Sequence, residues 1–130
     1  PRRLMPYRPK VTQCNTGVTP MKPESTGIKY DQGKPRMDLL SGIALQEVAK
    51  VLTFGAVKYG EHNWRGGIVF SRLIAAAMRH LFAYAGGESK DPETGLSHIA
   101  HAMCCLMFIL EFTVTKPNLD DRYKPSSDTT

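Results

Sequence analysis

The sequence is poor in cysteine and has no visible export signal. Its three cysteines are an odd number, and Cys104 and Cys105 are adjacent within a predicted helix. This usage argues against a disulfide framework and favours a reducing compartment. No secretory leader is visible, and no apolar run looks long enough to cross a bilayer. We therefore expect a soluble, cytoplasmic protein with no membrane partner.

Several common signature motifs are also missing. The sequence has no His-Glu-x-x-His pair, no paired Cys-x-x-Cys, no Gly-x-x-x-x-Gly-Lys-Ser/Thr loop and no adjacent His-Asp pair. The first two are signatures of zinc proteases and structural zinc sites, and the third is the phosphate loop of many nucleotide-binding proteins. The last occurs in some metal phosphohydrolases. Any metal or nucleotide chemistry must therefore use another arrangement.

The bulk properties fit one small domain with an anionic partner. A chain of 130 residues is enough for one compact domain, and 42% of the residues are hydrophobic. The net charge is +5 and the isoelectric point is about 9.3, which favours a nucleotide, a nucleic acid or an acidic surface. Arginine and lysine in the first ten residues contribute much of this charge. The net charge therefore says little about the partner of the folded domain.

Apolar spacing predicts an all-α fold of three antiparallel helices. The first should run from Ser41, a plausible N-cap, to Gly60, and the second from Ser71 to about Ala85. The third should start near Ser97 and end at residues 112–114. Because it is apolar nearly all round, we expect a bundle completed by a second copy, as a homo-oligomer (dimer or tetramer). Residues 1–27 are expected to form an extended basic arm, residues 28–115 the folded domain, and residues 116–130 a flexible polar tail.

The stretch between the second and third helices carries most of the candidate chemistry. Three of the four histidines fall within residues 80–101, together with Glu88, Asp91 and Glu93. His98 and His101 are three residues apart on a helix, so both rings can point to one site. Carboxylates suit magnesium or manganese, and imidazoles shift the preference toward manganese, cobalt or zinc. The alternative is that these histidines are hydrogen-bonded core residues.

Two loops carry groups suited to phosphates and bases. The Gly33-Lys34-Pro35-Arg36 stretch presents two cations on a loop, which suits phosphate binding, although a solvated basic turn would look the same. A glycine-rich loop at residues 58–67 holds Asn63 and the only tryptophan, Trp64. The indole can stack on a base and the amide can read a base edge. Alternatively, Trp64 is a lid that closes the core.

Together these motifs resemble the phage dATP/dGTP diphosphohydrolase family, the MazZ-type branch of the all-α MazG-like nucleotide pyrophosphohydrolases. The resemblance covers residues 28–112. Its motifs are Asp31-x-Gly33-Lys34-Pro35-Arg36-x-Asp38, Phe54-Gly-Ala-x-Lys58-Tyr59-Gly60-x-x-Asn63-Trp64-Arg65-x-Gly67, Arg79-His80-Leu, and Gly87-Glu88-x-x-Asp91-x-Glu93-Thr-Gly95-x-x-His98-x-Ala-His101. The chain departs from the general MazG pattern, because His98-x-x-His101 stands where that pattern has a Glu-x-x-Asp pair.

The resemblance implies a MazG-like enzyme that uses two or more magnesium or manganese ions. It would cleave dGTP or dATP between the α and β phosphates, giving the monophosphate and pyrophosphate. In some phages such an enzyme supplies dGMP to a pathway that makes 2-aminoadenine DNA, which would place the protein in the host cytoplasm. The candidate metal ligands are His80, Glu88, Asp91, His98 and His101. The candidate catalytic carboxylates are Glu88, Asp91 and Glu93, with Glu47 as a weaker ligand candidate. Lys34, Arg36, Lys58 and Arg79 would hold phosphate, and Asn63 and Trp64 the purine.

Two other functions are compatible with the sequence. A non-catalytic nucleotide or nucleic-acid binding protein would account for the basic charge and Trp64. It leaves the clustered carboxylates unexplained, because they would repel a phosphate backbone. A structural homologue that has lost catalysis is the third alternative.

Overall fold

The structure is a computed structural model, which describes residue 17 and residues 22–126. The chain divides into two compact units, residues 1–35 and residues 36–130. In the first unit, residues 22–31 are exposed and have no regular structure. They are followed by a turn in which Lys34 N donates to Asp31 O at 3.1 Å and Gly33 has a φ of 81°. Most of the expected arm at residues 1–27 lies outside the described residues.

The second unit is all-α in its described residues. Three α-helices follow one another: α1 at Gly42–Tyr59, α2 at Phe70–Ala85 and α3 at His98–Thr115. Short 3-10 helices occur at Met37–Leu39, Asn63–Gly66 and Pro117–Leu119. The helical fold class and the three main helices are therefore confirmed, with boundaries within one or two residues of those expected. Oligomer formation stays a prediction.

Two of the helix starts follow the capping expected from the sequence. The Ser41 hydroxyl accepts a hydrogen bond from Ala44 N at 3.2 Å at the start of α1, and Ser97 accepts from Ile99 N at 3.2 Å at the start of α3. The start of α2 is different. Its N-cap residue, Val69, makes no side-chain cap, and Ser71 N donates instead to the Asp121 carboxylate at 2.8 Å.

Helix α3 lies at the centre and packs against both other helices. On one side, Val48 and Val51 of α1 meet Ala100 and Cys104. On the other, Phe70 and Leu73 of α2 meet Phe112, which is only 1% exposed. The start of α2 therefore lies beside the end of α3, so these two helices are antiparallel. The elbow between them joins the end of α2 to the start of α3.

The beginning of the expected tail is packed rather than free. Leu119 contacts the α2–α3 cluster, and the Asp121 side chain bonds to both the backbone and the hydroxyl of Ser71. Gly67 lies under this segment with a φ of 109°, and a Cβ there would lie 2.9 Å from Leu119 Cδ1. Glycine is therefore favoured at this position by its backbone conformation, and a Cβ would also require the Leu119 side chain to shift.

By length and composition alone, α3 also meets the criteria for a membrane span, with a mean hydropathy of 1.5 over His98–Thr115. From the sequence we expected no apolar run long enough to cross a bilayer, and α3 corrects that expectation. The core helix of a soluble protein meets the same criteria, and α3 contacts both α1 and α2. One such helix is therefore weak evidence for a membrane.

Candidate metal centre and adjoining cavity

Three histidines from two helices meet at the elbow. His80 lies in the last turns of α2, and His98 and His101 lie in the first turn of α3. His80 Nδ1 is 2.9 Å from His98 Nδ1, and the His80 and His101 rings stack with centroids 4.5 Å apart and an interplanar angle of 10°. Because α2 and α3 are antiparallel, residues 18 to 21 positions apart in the sequence become direct neighbours.

Asp91 is held by the loop that joins the two helices. Its Oδ1 accepts hydrogen bonds from Glu93 N and Thr94 N, both at 3.0 Å, and from the Thr94 hydroxyl at 3.3 Å. The loop itself is closed by the Asp91 N to Leu96 O bond at 2.8 Å. Among the described residues all of these side-chain bonds fall on Oδ1, so Oδ2 remains as a ligand atom.

The donor set at this point fits a divalent cation. His80, Asp91 and His98 each offer one ligand atom, and these atoms lie within 4.8 Å of one another. Two imidazole nitrogens with one carboxylate oxygen suit manganese, cobalt or zinc better than magnesium, which prefers oxygen ligands alone. The structure therefore brings together three of the five predicted ligands as one compact group. The other two, His101 and Glu88, are each in contact with a member of it.

The protonation states at the site also suit metal binding. Burial lowers the pKa of His80, and the neighbouring His101 and His98 lower it further. Burial likewise lowers the pKa of His101, although Asp91 opposes this effect. Burial acts to raise the pKa of Asp91, but backbone hydrogen bonds and the adjacent histidines outweigh it and the pKa is lowered. At neutral pH the two rings are neutral and the carboxylate is ionised, which is the ligand form of each group.

Glu88 contacts the cluster only through His98. Its Oε1 lies 2.7 Å from His98 Nε2, which is the nitrogen that does not face His80. The His98 side chain is 4% exposed and that of Glu88 is 54% exposed. Helix α2 ends at Ala85, so Glu88 lies beyond the helix and reaches His98 from the loop.

Glu93 is paired with a lysine from the first helix. Lys58 Nζ lies 2.7 Å from Glu93 Oε1, and this hydrogen bond is the largest cause of the raised pKa of Lys58. The pair links the end of α1 to the elbow, and both residues line a cavity. A predicted phosphate-binding cation and a predicted catalytic carboxylate are therefore direct partners.

The cavity, of about 990 Å³, extends from the elbow to the glycine-rich loop. Its wall includes Lys58, Asn63 and Glu93, all three predicted as site residues. The volume is within the range of small-molecule sites. Cations, carboxylates and imidazoles on one wall are the groups that a phosphate ester and its counter-ions require.

Trp64 lies at the far end of this cavity as a packing group. Its ring stacks on Phe108 with centroids 4.3 Å apart, and the Arg65 guanidinium lies 4.4 Å from its centroid. Arg65 also pairs with Glu111. These contacts match the interpretation of Trp64 as a lid over the core. A base-stacking role for the indole stays a prediction.

The remaining predicted residues lie outside this wall. Arg36 donates to both oxygens of Asp38 in an exposed pair, and Arg79 is exposed on α2. Glu47 pairs with Lys50 at 2.6 Å within α1. Lys34 belongs to the first compact unit, in its exposed turn. Their roles at the site stay predictions.

The structure adds functional candidates that the sequence reasoning did not select. The Thr94 hydroxyl lies 2.8 Å from His101 Nε2 and also contacts Asp91, so it joins a histidine to the carboxylate. Arg65 and Arg72 add cationic side chains to the cavity wall. Thr94 and Arg65 both occur within the motifs already quoted, and the Asp91-x-x-Thr94 spacing typical of an Asx turn was the available signal.

Comparison with known proteins identifies relatives. A sequence model described as dATP/dGTP diphosphohydrolase, N-terminal, matches residues 24–122. A dATP/dGTP diphosphohydrolase from Salmonella phage PMBT28 is 44% identical over 97 residues, which is 75% of this chain and 33% of that protein. The chain thus spans about one third of the length of the curated relative it matches. No solved structure matches the chain.

Proposed function

The chain belongs to the dATP/dGTP diphosphohydrolase family, and from that premise we propose that it is a metal-dependent pyrophosphohydrolase of purine deoxynucleoside triphosphates. The reaction cleaves dGTP or dATP between the α and β phosphates and releases the monophosphate and pyrophosphate. The observation that carries this proposal is the convergence of His80, Asp91 and His98 within 4.8 Å, beside a cavity of nucleotide size.

We assign the cation to His80, Asp91 and His98, with His101 beside them. Manganese is the preferred ion because two of the donors are imidazoles, and magnesium is the alternative. A divalent ion held there would neutralise phosphate charge and acidify a water molecule. A second ion is retained from the mechanism expected from the sequence, in which two or more divalent ions bridge the triphosphate.

Lys58 is our first candidate for a phosphate ligand among the described residues. Its ammonium group lies on the cavity wall and is 2.7 Å from a Glu93 oxygen. A triphosphate entering the cavity would compete with Glu93 for Lys58, since phosphate oxygens carry more charge than one carboxylate. Glu93, released from its pair, is our candidate for the general base that takes a proton from water.

The chain is further proposed to act as a homo-oligomer in the host cytoplasm, within phage purine nucleotide metabolism. Large apolar side chains are left at the surface of the second unit. Those that are 70% exposed or more, before and along the helices, are Met37, Leu39, Ile43, Val57, Leu110 and Val114. A second copy would cover apolar area of this kind.

The test is hydrolysis by purified protein with manganese and a panel of nucleoside triphosphates, with the products separated by chromatography. We expect monophosphate and pyrophosphate from dGTP or dATP, and none after chelation. Asp91→Asn should abolish turnover, whereas the chemically identical change Asp120→Asn, far from the elbow, should not. If folded protein turns over no nucleotide with manganese, magnesium or cobalt, a non-catalytic binding function replaces this proposal.

A further inference from the structure

Glu88 and His80 contact the His98 ring on opposite edges. Glu88 Oε1 lies 2.7 Å from Nε2, and His80 Nδ1 lies 2.9 Å from Nδ1. The two nitrogens of an imidazole point in widely different directions, so a carboxylate at Nε2 cannot also reach a cation bound at Nδ1. His80 and Asp91 contribute to the cavity wall, whereas Glu88 and the buried His98 do not. Glu88 therefore lies on the side of the His98 ring that faces away from His80.

The hydrogen bond to Glu88 dictates which nitrogen of His98 carries the proton. An ionised carboxylate only accepts hydrogen bonds, so Nε2 must donate. In neutral His98 the lone pair is then on Nδ1, the nitrogen that faces His80. The partner of one ring nitrogen commonly decides which nitrogen can bind a metal.

The backbone holds both members of this pair in place. Glu88 N donates to Ala83 O at 3.0 Å, after a turn in which Gly87 has a φ of 99°, and His98 N donates to Ser89 O at 3.2 Å. The Glu88 side chain is half exposed, whereas the His98 side chain is 4% exposed. Removing the carboxylate thus opens no large internal void, and its effect on His98 can be measured in folded protein.

We propose that Glu88 is a positioning residue, neither a metal ligand nor a catalytic carboxylate. It holds His98 as the Nε2–H tautomer, so that the Nδ1 lone pair joins His80 and Asp91 at a divalent cation. This inference rests on the proposed function in taking the cluster as a cation site. It replaces the ligand and catalytic roles expected for Glu88 from the sequence.

The first test uses metal-free protein and needs no activity. Long-range ¹H–¹⁵N correlation spectra at about pH 8, above the ordinary histidine pKa of about 6.5, distinguish the two tautomers, and His98→Asn assigns the His98 signals. We expect Nε2–H in the wild type and in Glu88→Gln, whose amide oxygen also accepts, and loss of that preference in Glu88→Ala. An unchanged tautomer in Glu88→Ala would overturn the proposal.

The second test measures binding of manganese and cobalt by calorimetry. Glu88→Ala should weaken binding about 10- to 100-fold, the usual effect of losing an outer partner of a ligand histidine, and Glu88→Gln should stay within a few-fold of the wild type. Glu24→Gln is the control for loss of one exposed carboxylate. Equal losses in the Gln and Ala variants would make Glu88 a direct ligand and overturn the proposal. If the wild type binds no cation, the proposed function is contradicted. The spectra would still decide whether Glu88 fixes the tautomer of His98.

Discussion

The two ends of the cavity are built on opposite principles. At the histidine end, defined by His80, Asp91, Thr94 and His101, side chains from one elbow are held mainly by hydrogen bonds to one another and to the loop. At the tryptophan end, defined by Trp64, Arg65, Phe108 and Glu111, aromatic stacking joins the loop to α3. The first end presents polar atoms to a ligand, and the second buries apolar area. Substitutions should therefore affect function at one end and stability at the other.

The largest effect is expected from His80→Asn at the histidine end. Nucleotide hydrolysis with manganese should fall at least about 100-fold, since losing a ligand costs more than losing its outer partner. The free energy of unfolding of the metal-free protein should change by no more than about 1 kcal/mol, because groups arranged for function contribute little to stability. A large loss of stability with retained hydrolysis would break the comparison.

At the tryptophan end, Trp64→Ala should lower the free energy of unfolding by about 3 kcal/mol, the lower end of the range for losing a large aromatic side chain, since Trp64 is only half-buried. Thermal and denaturant unfolding measure this change. Trp64→Phe keeps a ring against Phe108 and should recover most of the stability. If Trp64→Phe is stable but loses nucleotide binding, the indole has a base-stacking role and the two ends share one function.

A smaller effect is expected at the start of α2. Asp121→Ala removes the acceptor for Ser71 N and should cost about 1 kcal/mol of unfolding free energy, as the loss of a helix cap does. Asp120→Ala is the matched control, because the Asp120 carboxylate pairs with Arg122 two residues away, within the tail itself. Equal effects of the two changes would show that the packed start of the tail does not stabilise α2.

The smallest effect is the pH dependence of the histidine end. The lowered pKa values of His80 and His101 mean that the unfolded chain binds protons first as the pH falls. Stability of the metal-free protein should therefore be fully present above about pH 6.5 and decrease below it, until the folded-state pKa values are reached. Melting temperatures at several pH values measure this slope. A His80→Asn, His101→Asn double variant should reduce it, and an unchanged slope would contradict the assignment.

Much of the fold was predictable because it depends on local signals. Ser41 and Ser97 cap α1 and α3 as expected, since a cap needs only the residues that follow it within one turn. The cap of α2 was not predictable in this way, because Ser71 bonds to Asp121, fifty residues further along the chain. The packed start of the tail was missed for the same reason: residues 117–121 have no apolar period of their own.

In the candidate site, too, some features follow from local sequence and others only from the packing of distant segments. The clustering of His80, Asp91, His98 and His101 was visible in the sequence because all four belong to one elbow. The pairing of Lys58 with Glu93 joins residues 35 positions apart, and nothing in local spacing indicates it. The direction of each imidazole was equally hidden, and so was the contact between Glu88 and His98 Nε2 that underlies the positioning role we propose for Glu88.

The sequence by itself determined the all-α class, the three helices, the position of the elbow and the residue types that meet there. These follow from apolar periodicity and from short-range capping and spacing, which act within a few turns of chain. The tertiary structure alone decided which nitrogen of His98 faces the cluster, that Trp64 packs on Phe108, and that the tail caps α2. Each of these depends on how α2 and α3 pack, and such packing brings together groups whose separation along the chain carries no periodic signal.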